Sequence, residues 1–172
     1  EMRRRTNCSY QEAKELLERL NSGGRLPLLT SCCPAWVKFC ETRYPEFAAN
    51  ISTCRSPHQM LGAVIRRDFD RNPEMQGKKL VNVSVMPCTA KKDEILRKES
   101  MTNGIQDVDY VLTSSELAEL IDRLNIDTKT LIPEPADAPY NTESGSGVIF
   151  GVSGGVLESM LRHLSEDAGE AL

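Results

Sequence analysis

Apolar and polar positions along the chain switch between a helical and a strand period, and the switches mark out the elements. Ser9 with Glu12 three residues later is a capping-box pattern, and Leu16, Leu17 and Leu20 supply an apolar stripe. A helix is therefore expected from about 10 to 20, stopped by Asn21-Ser22-Gly23-Gly24. Leu26 to Thr30 is a short apolar run suited to a buried strand. Pro34 is placed to be the first residue of a helix running through Trp36, Val37 and Phe39 toward Tyr44-Pro45, so Cys32 and Cys33 fall at a strand-to-helix turn. Ser56-Pro57 repeats the capping logic ahead of an amphipathic stretch carrying Met60, Leu61, Val64, Ile65 and Phe69.

The second half repeats the scheme. After a polar turn from Arg71 to Lys79, Leu80 to Met86 reads as a strand through Val81, Val83 and Val85, and Pro87 ends it and delivers Cys88. Asp109 to Leu112 is a third strand, followed by a helix that Thr113 and Glu116 cap and that carries Leu117, Leu120, Ile121 and Leu124. Asp127 to Gly147 lacks periodicity and contains three prolines, as expected of a long loop that could cover a site. Val148 to Phe150 enters the turn Gly151-Val-Ser-Gly-Gly155, and a last helix carries Val156, Leu157, Met160, Leu161 and Leu164. Strands alternating with helices predict an α/β fold of parallel sheets flanked by helices, with ligands beyond the carboxyl ends of strands, where Cys32, Cys33, Cys88 and Gly151 would lie.

Composition narrows the function classes. At 172 residues the chain can build one sizeable core or two thin lobes. A formal net charge of -4, with Arg3 to Arg5 forming only a short basic run, argues against nucleic acid as a partner. No stretch approaches the roughly 18 apolar residues of a membrane span, and the first residues lack the apolar stretch of a signal peptide, so a cytoplasmic location is expected. Six cysteines in a chain of this kind are read as reduced thiols, and without a CxxC or CxxH pair a zinc knuckle or self-contained ferredoxin loop is not expected.

Three groupings carry potential chemistry. Cys32 and Cys33 are adjacent on a turn, so their side chains should diverge and take different tasks, unless they are an ordinary buried pair. Cys88, Lys91 and Glu94 bring a thiol, an ammonium and a carboxylate within one helical turn or two, a pattern suited to an anion pocket. Glu12, Glu15 and Arg19 share one face of the first helix, either as a solvated face or as a proton path toward a thiol, with Ser52 able to bridge it. The glycine turn lacks the spacing of a nucleotide loop, though its backbone could approach a compact inorganic ligand. His58 is a candidate pocket residue, and His163 reads as a partner for a helix C-terminus.

Taken together, Thr30-Ser-Cys-Cys-Pro-Ala-Trp36, Met86-Pro-Cys-Thr-Ala-Lys91 with Glu94, and the Gly147 to Glu158 segment resemble the catalytic domain of the iron-only, or [FeFe], hydrogenases. Two family signatures, TSCCPxW and MPCxxKxxE, are complete. The third, a glycine-flanked cysteine pair, does not occur in these residues. The resemblance implies an incomplete two-lobed catalytic core, with first-lobe elements at about 1–79 and second-lobe elements at about 80–172. It implies that Cys32 exchanges protons with a diiron unit, that Cys33 and Cys88 are ligands of a [4Fe-4S] cube, and that Lys91 pairs with an iron-bound cyanide. It further implies a proton relay through Glu12, Glu15 and Ser52, and a pocket wall of Met86, Pro87, Ala90, Phe150, Gly151 and Ser153.

Two positions depart from the family pattern: Ala90 where serine is frequent, and His58 where glutamine is. The parent enzyme implied is an oxidoreductase of hydrogen metabolism that reversibly converts protons and electrons to dihydrogen. The isolated chain is expected to be inactive and without the cube and diiron subcluster, since two cluster cysteines would come from a further C-terminal segment. An electron-carrier protein or domain is the expected partner, and self-association is expected of an open cofactor face exposing Phe150, Met86 and Trp36. Other readings are a noncatalytic hydrogenase-like protein for sensing or iron-sulfur assembly, and a metal-free α/β redox or nucleotide-binding domain.

Overall fold

The computed structural model of the chain describes residues 8–141 and 145–168. Its first helix, α1 (Cys8–Ser22), is longer than the leucine stripe predicts and buries a different face. Ser9, Glu12 and Ala13 are buried, whereas Leu17 and Leu20 are exposed. That face is the i, i+3, i+4 stripe next to the leucines, and it packs on the last helix, α7 (Gly155–Ala168), whose Ser159 and Met160 are buried. His163 of α7 stands edge-on to Tyr10 of α1, with ring centroids 6.0 Å apart.

Leu26 to Thr30 forms no ladder. The segment makes one parallel bridge, Leu29 to Ile51, in which Leu29 N donates to Asn50 O at 2.9 Å and Ser52 N donates to Leu29 O at 2.7 Å. Pro27 has no amide proton to extend it. The single bridge still matters, because it places Ser52 beside α1. Helix α2 (Pro34–Arg43) starts at the expected proline with Cys33 as N-cap, and buries Val37 and Cys40. Helix α3 (Pro57–Arg71) starts at Ser56, whose hydroxyl accepts from Gln59 N.

The parallel pair consists of β1 (Val83–Met86) and β4 (Tyr110–Thr113), with Ser84 opposite Val111 and Met86 opposite Thr113. Between them lie α4 (Ala90–Glu94) and a small antiparallel hairpin, β2 (Met101–Thr102) and β3 (Ile105–Gln106). The alternation along β1 runs opposite to the apolar pattern. Ser84 and Met86 face inward, and Val81, Val83 and Val85 are each about half exposed. Met86 packs on a cluster of Ile95, Val108 and Val111, against which Gly62 of α3 lies so closely that a Cβ there would come 2.6 Å from Val108 Cγ2. Helix α5 (Ser114–Arg123) carries the predicted capping box in full: Thr113 Oγ1 accepts from Glu116 N, and Glu116 Oε2 accepts from Thr113 N.

Val148 and Ile149 are helical, in α6 (Gly145–Ile149), so the glycine turn links two helices and does not follow a strand. The described part of the 127–147 segment is exposed, and the Tyr140 hydroxyl ties it to α3 by donating to Asp68. Residues 142–144 of that segment lie outside the described residues.

Candidate active site and proton path

Two rows of polar side chains converge on the Cys32-Cys33 turn. The first begins on α1. Glu12 is fully buried; its Oε1 accepts from Ser31 N at 3.3 Å, and its Oε2 has no protein hydrogen-bond partner. One turn along, Glu15 Oε1 is held by Arg19 Nη2 at 2.6 Å, and Glu15 Oε2 accepts the Ser52 hydroxyl at 2.7 Å. Thr53 N also donates to Glu15, and Arg19 donates onward to Asn50 O and Ile51 O, so the bridge segment and the helix fix each other. With Arg19 only 13% and Glu15 only 14% exposed, this face is not solvated.

Environment separates the two carboxyls. Burial pushes Glu12 above the ordinary carboxyl range, and the neighbouring Glu15 charge adds to the effect against an opposing bond from Ser31. Glu15 also feels burial, but the bonds from Ser52, Arg19 and Thr53 outweigh it and hold its carboxyl low. A group that favours its acid form thus lies near one that favours its anion, with a hydroxyl bonded to the second. Cys54 belongs to this row: its thiol lies 3.7 Å from Glu15 Oε2, and burial, with Glu15 and Glu12 nearby, raises it to about 11. Sequence reasoning gave Cys54 no role. The signal available was its position two residues after Ser52, and the contact with Glu15 depends on tertiary structure.

The second row contains Lys91, Glu94 and His58. Lys91 Nζ donates to the Cys32 carbonyl at 3.0 Å and to both Glu94 oxygens at 3.1 Å, pinning the turn after β1 against the turn before α2. His58 Nδ1 is 2.9 Å from Glu94 Oε2, and His58 Nε2 is 2.8 Å from Ser84 Oγ. Burial would raise Glu94, but His58, Lys91 and Ser56 together hold it below the usual range. A cavity of about 260 Å³, lined by Ser52, Cys54, Gln59, Glu94 and Arg97 among others, separates the rows.

Lys91 thereby brings together two turns bearing thiols. Cys33 and Cys88 are exposed, and Cys32 is half-buried, its thiol raised by burial and by Glu12 against the opposing pull of Lys91. Cys40 is fully buried on α2 and stands apart. No group of three or more His, Cys, Asp or Glu side chains able to hold a metal ion occurs among the described residues. Two accessible thiols on adjacent turns fit half of the four-thiolate set of a [4Fe-4S] cube. Met86 is half-buried on the core cluster, Pro87 is exposed, and Ala90 opens α4 half-buried. Phe150 is half-buried and Gly151 and Ser153 are exposed in the turn between α6 and α7. No hydrogen bond joins these three to the Cys32 or Cys88 turns among the described residues.

A sequence-family profile described as "Iron only hydrogenase large subunit, C-terminal domain" matches residues 5–171. The chain belongs to this family. It is 46% identical over 169 residues to the NADP-reducing hydrogenase subunit HndD of Solidesulfovibrio fructosivorans, covering 94% of this chain and 29% of that protein. It is also 35% identical to the cytosolic iron-sulfur assembly component 3 of Mus musculus, covering 87% of this chain and 33% of that protein. Among solved structures, the apo [FeFe]-hydrogenase HydA1 of Chlamydomonas reinhardtii, in a cysteine-to-histidine variant, superposes with a TM-score of 0.77 at 34% identity, covering 94% of this chain and 41% of that one. The α/β core is therefore that of the [FeFe]-hydrogenase catalytic domain, of which the chain spans a part. Family members include both hydrogenases and iron-sulfur assembly proteins. No helix among the described residues is long and apolar enough to cross a membrane.

Proposed function

We propose that this chain is part of the catalytic core of a cytoplasmic [FeFe]-hydrogenase and supplies its proton path and half of its cube ligands. The observation that carries the reading is the Ser52 hydroxyl, bonded to Glu15 at 2.7 Å within a buried face that also holds Glu12. When bound, the diiron unit and its [4Fe-4S] cube supply the redox chemistry that interconverts protons, electrons and dihydrogen. Cys33 and Cys88 would hold the cube, whose remaining two thiolates would come from outside these residues.

The residues present handle protons. Cys32 carries a proton at its Sγ, and Glu12 exchanges it as an acid favoured by burial. Ser52, whose hydroxyl donates to Glu15 and lies near the unpartnered Oε2 of Glu12, passes a proton between the two carboxyls when that carboxyl turns to donate to it. Glu15 receives it as an anion that Arg19 keeps in place. Lys91 offers its ammonium to an anionic ligand beside the Cys32 turn, while Met86, Pro87, Ala90, Phe150, Gly151 and Ser153 shape the wall. An electron-carrier protein or domain completes the circuit.

The relatives named for iron-sulfur assembly support a second reading, a noncatalytic member that handles clusters without hydrogen turnover. A relay of buried carboxyls has no task in such a protein. Anaerobic maturation of the complete protein, followed by gas chromatography with a reduced viologen donor, separates the two. Hydrogen evolution is expected; bound iron-sulfur cluster with no hydrogen would overturn the catalytic reading.

A further inference from the structure

The proton path does not use the row of buried side chains behind Lys91. Ser84, on the inward face of β1, meets His58 Nε2 at 2.8 Å, His58 Nδ1 meets Glu94 Oε2 at 2.9 Å, and Glu94 meets Lys91. The imidazole and the carboxylate are each only 7% exposed. Three groups bond to the carboxylate: His58, Lys91 and the Gln59 amide, which reaches Oε2 at 3.5 Å.

An ammonium has three protons. One of those on Lys91 goes to the Cys32 carbonyl. Its nitrogen is 3.1 Å from each Glu94 oxygen, so a single proton directed between them satisfies the carboxylate as a shared bond. That arrangement holds only while the carboxylate stays oriented. Without His58, Oε2 would keep only the longer bond from Gln59 besides Lys91, and the group could turn about its terminal bond, which is broad and soft. It would then compete for the remaining ammonium proton.

We infer that His58 is a positioning residue: by holding Oε2 of Glu94 from behind, it keeps Glu94 on one Lys91 proton and leaves another for an anionic ligand beside the Cys32 turn. Glu94 is an acceptor and its Oε2, at 2.9 Å, is nearer Nδ1 than the Gln59 amide nitrogen at 3.3 Å, so the proton between carboxylate and ring belongs to Nδ1, and Nε2 of the neutral ring accepts from the Ser84 hydroxyl. Ser84 therefore orients the ring, the ring orients the carboxylate, and the carboxylate orients the ammonium. The use made of Lys91 rests on the hydrogenase reading; the arrangement that presents it does not.

The test uses the metal-free protein. Nitrogen-15 NMR of His58 should show the Nδ1–H tautomer when the ring is neutral, and this measurement requires no variant. Reductive methylation followed by mass spectrometry should find Lys91 labelled several-fold more slowly in His58→Phe, which fills the space without donors and lets Glu94 take a second ammonium proton. His58→Gln should return the rate to the wild-type value, because an amide can donate to Glu94 and accept from Ser84 at once. An Nε2–H tautomer overturns the inference, as does Lys91 labelling in a folded His58→Phe that is equal to or faster than in wild type. The expected tautomer and rescue, found in a protein that evolves no hydrogen after maturation, would uphold His58 and defeat the hydrogenase reading alone.

Discussion

Ser52 donates its hydroxyl to Glu15 Oε2 at 2.7 Å across 37 residues of chain, and that bond turns the charged face of α1 into an interior one. Two features of the fold make it possible. The Leu29 to Ile51 bridge brings Ser52 to the helix, and Arg19 closes the other side through Asn50 O and Ile51 O. Replacing Ser52 by Ala should leave the fold and the cluster content intact while slowing proton transfer, since the methyl group neither donates nor accepts. In the matured complete protein, hydrogen evolution should fall by about 10²-fold or more, the scale of losing one general acid-base step. Iron content unchanged together with unchanged turnover would remove Ser52 from the path.

Cys32 and Cys33 are adjacent, yet one is half-buried against Glu12 and the other exposed at the start of α2. Replacing Cys32 with Ala should lower turnover far more than cluster content. Cys33→Ala should lower both, because that position serves ligation. Iron quantification beside the hydrogen assay checks this division, and equal iron loss in the two variants contradicts it.

The elements that local chemistry specifies were legible in the sequence. Pro34 opens α2, Ser56 caps α3, and the Thr113-Glu116 box caps α5, each as capping and proline placement predict. The faces were not. Apolar periodicity points to Leu17 and Leu20 on α1 and to the valines of β1, whereas Glu12 and Ala13 are the buried positions on α1 and the half-buried Ser84 and Met86 are the inward ones on β1. In both places, polar groups go inward because tertiary partners satisfy them. Those partners, Ser31 for Glu12 and His58 for Ser84, lie 19 and 26 residues away. The apolar run Leu26 to Thr30 predicts a strand, and Pro27 limits it to one bridge.

The Glu94 carboxylate joins the chemistry of the site to stability. Its folded pKa lies below the ordinary 4.5, so the unfolded chain binds a proton at higher pH than the folded one does. The stability it contributes is therefore full above about pH 4.5 and is lost as pH falls through the folded value. Glu94→Gln should destabilise the protein by about 3–5 kcal/mol at neutral pH, the cost of breaking a buried pair. Urea unfolding at a series of pH values should show the difference from wild type shrinking below that point. A constant difference across the acid range would mean that charge at Glu94 contributes nothing.

Gly62 has a packing reason to be glycine. A Cβ at that position would lie 2.6 Å from Val108 Cγ2 and 3.3 Å from Asp107 O, closer than such atoms approach. Val108 is part of the core cluster and Asp107 is buried, so neither can withdraw without shifting the chain after β3. Gly62→Ala should cost about 1–3 kcal/mol by overpacking, against the slight gain alanine normally brings within a helix. Thermal unfolding would register this as a lowered midpoint, and a raised midpoint would mean that α3 can move outward freely.

The parallel pair leaves its outer face open, and this bears on association. Val81, Val83 and Val85 are 51%, 49% and 46% exposed, and Tyr110 opposite Val83 is 63% exposed. Phe150, Met86 and Trp36, expected to form the open patch, are only half-buried, so the apolar surface lies along the strand more than around the cysteine turns. Parallel strands are ordinarily covered on both faces. Fully burying one such side chain contributes roughly 1.5–3 kcal/mol, and a row of half-exposed valines can recover part of that on contact. The chain by itself should associate through this face. Val83→Lys combined with Val85→Lys should abolish the association without disturbing Ser84 or Met86, which point the other way. Light scattering across a concentration series measures the mass directly. A wild-type chain that stays at monomer mass would refute the association, and a double variant that associates as strongly as wild type would place the contact elsewhere.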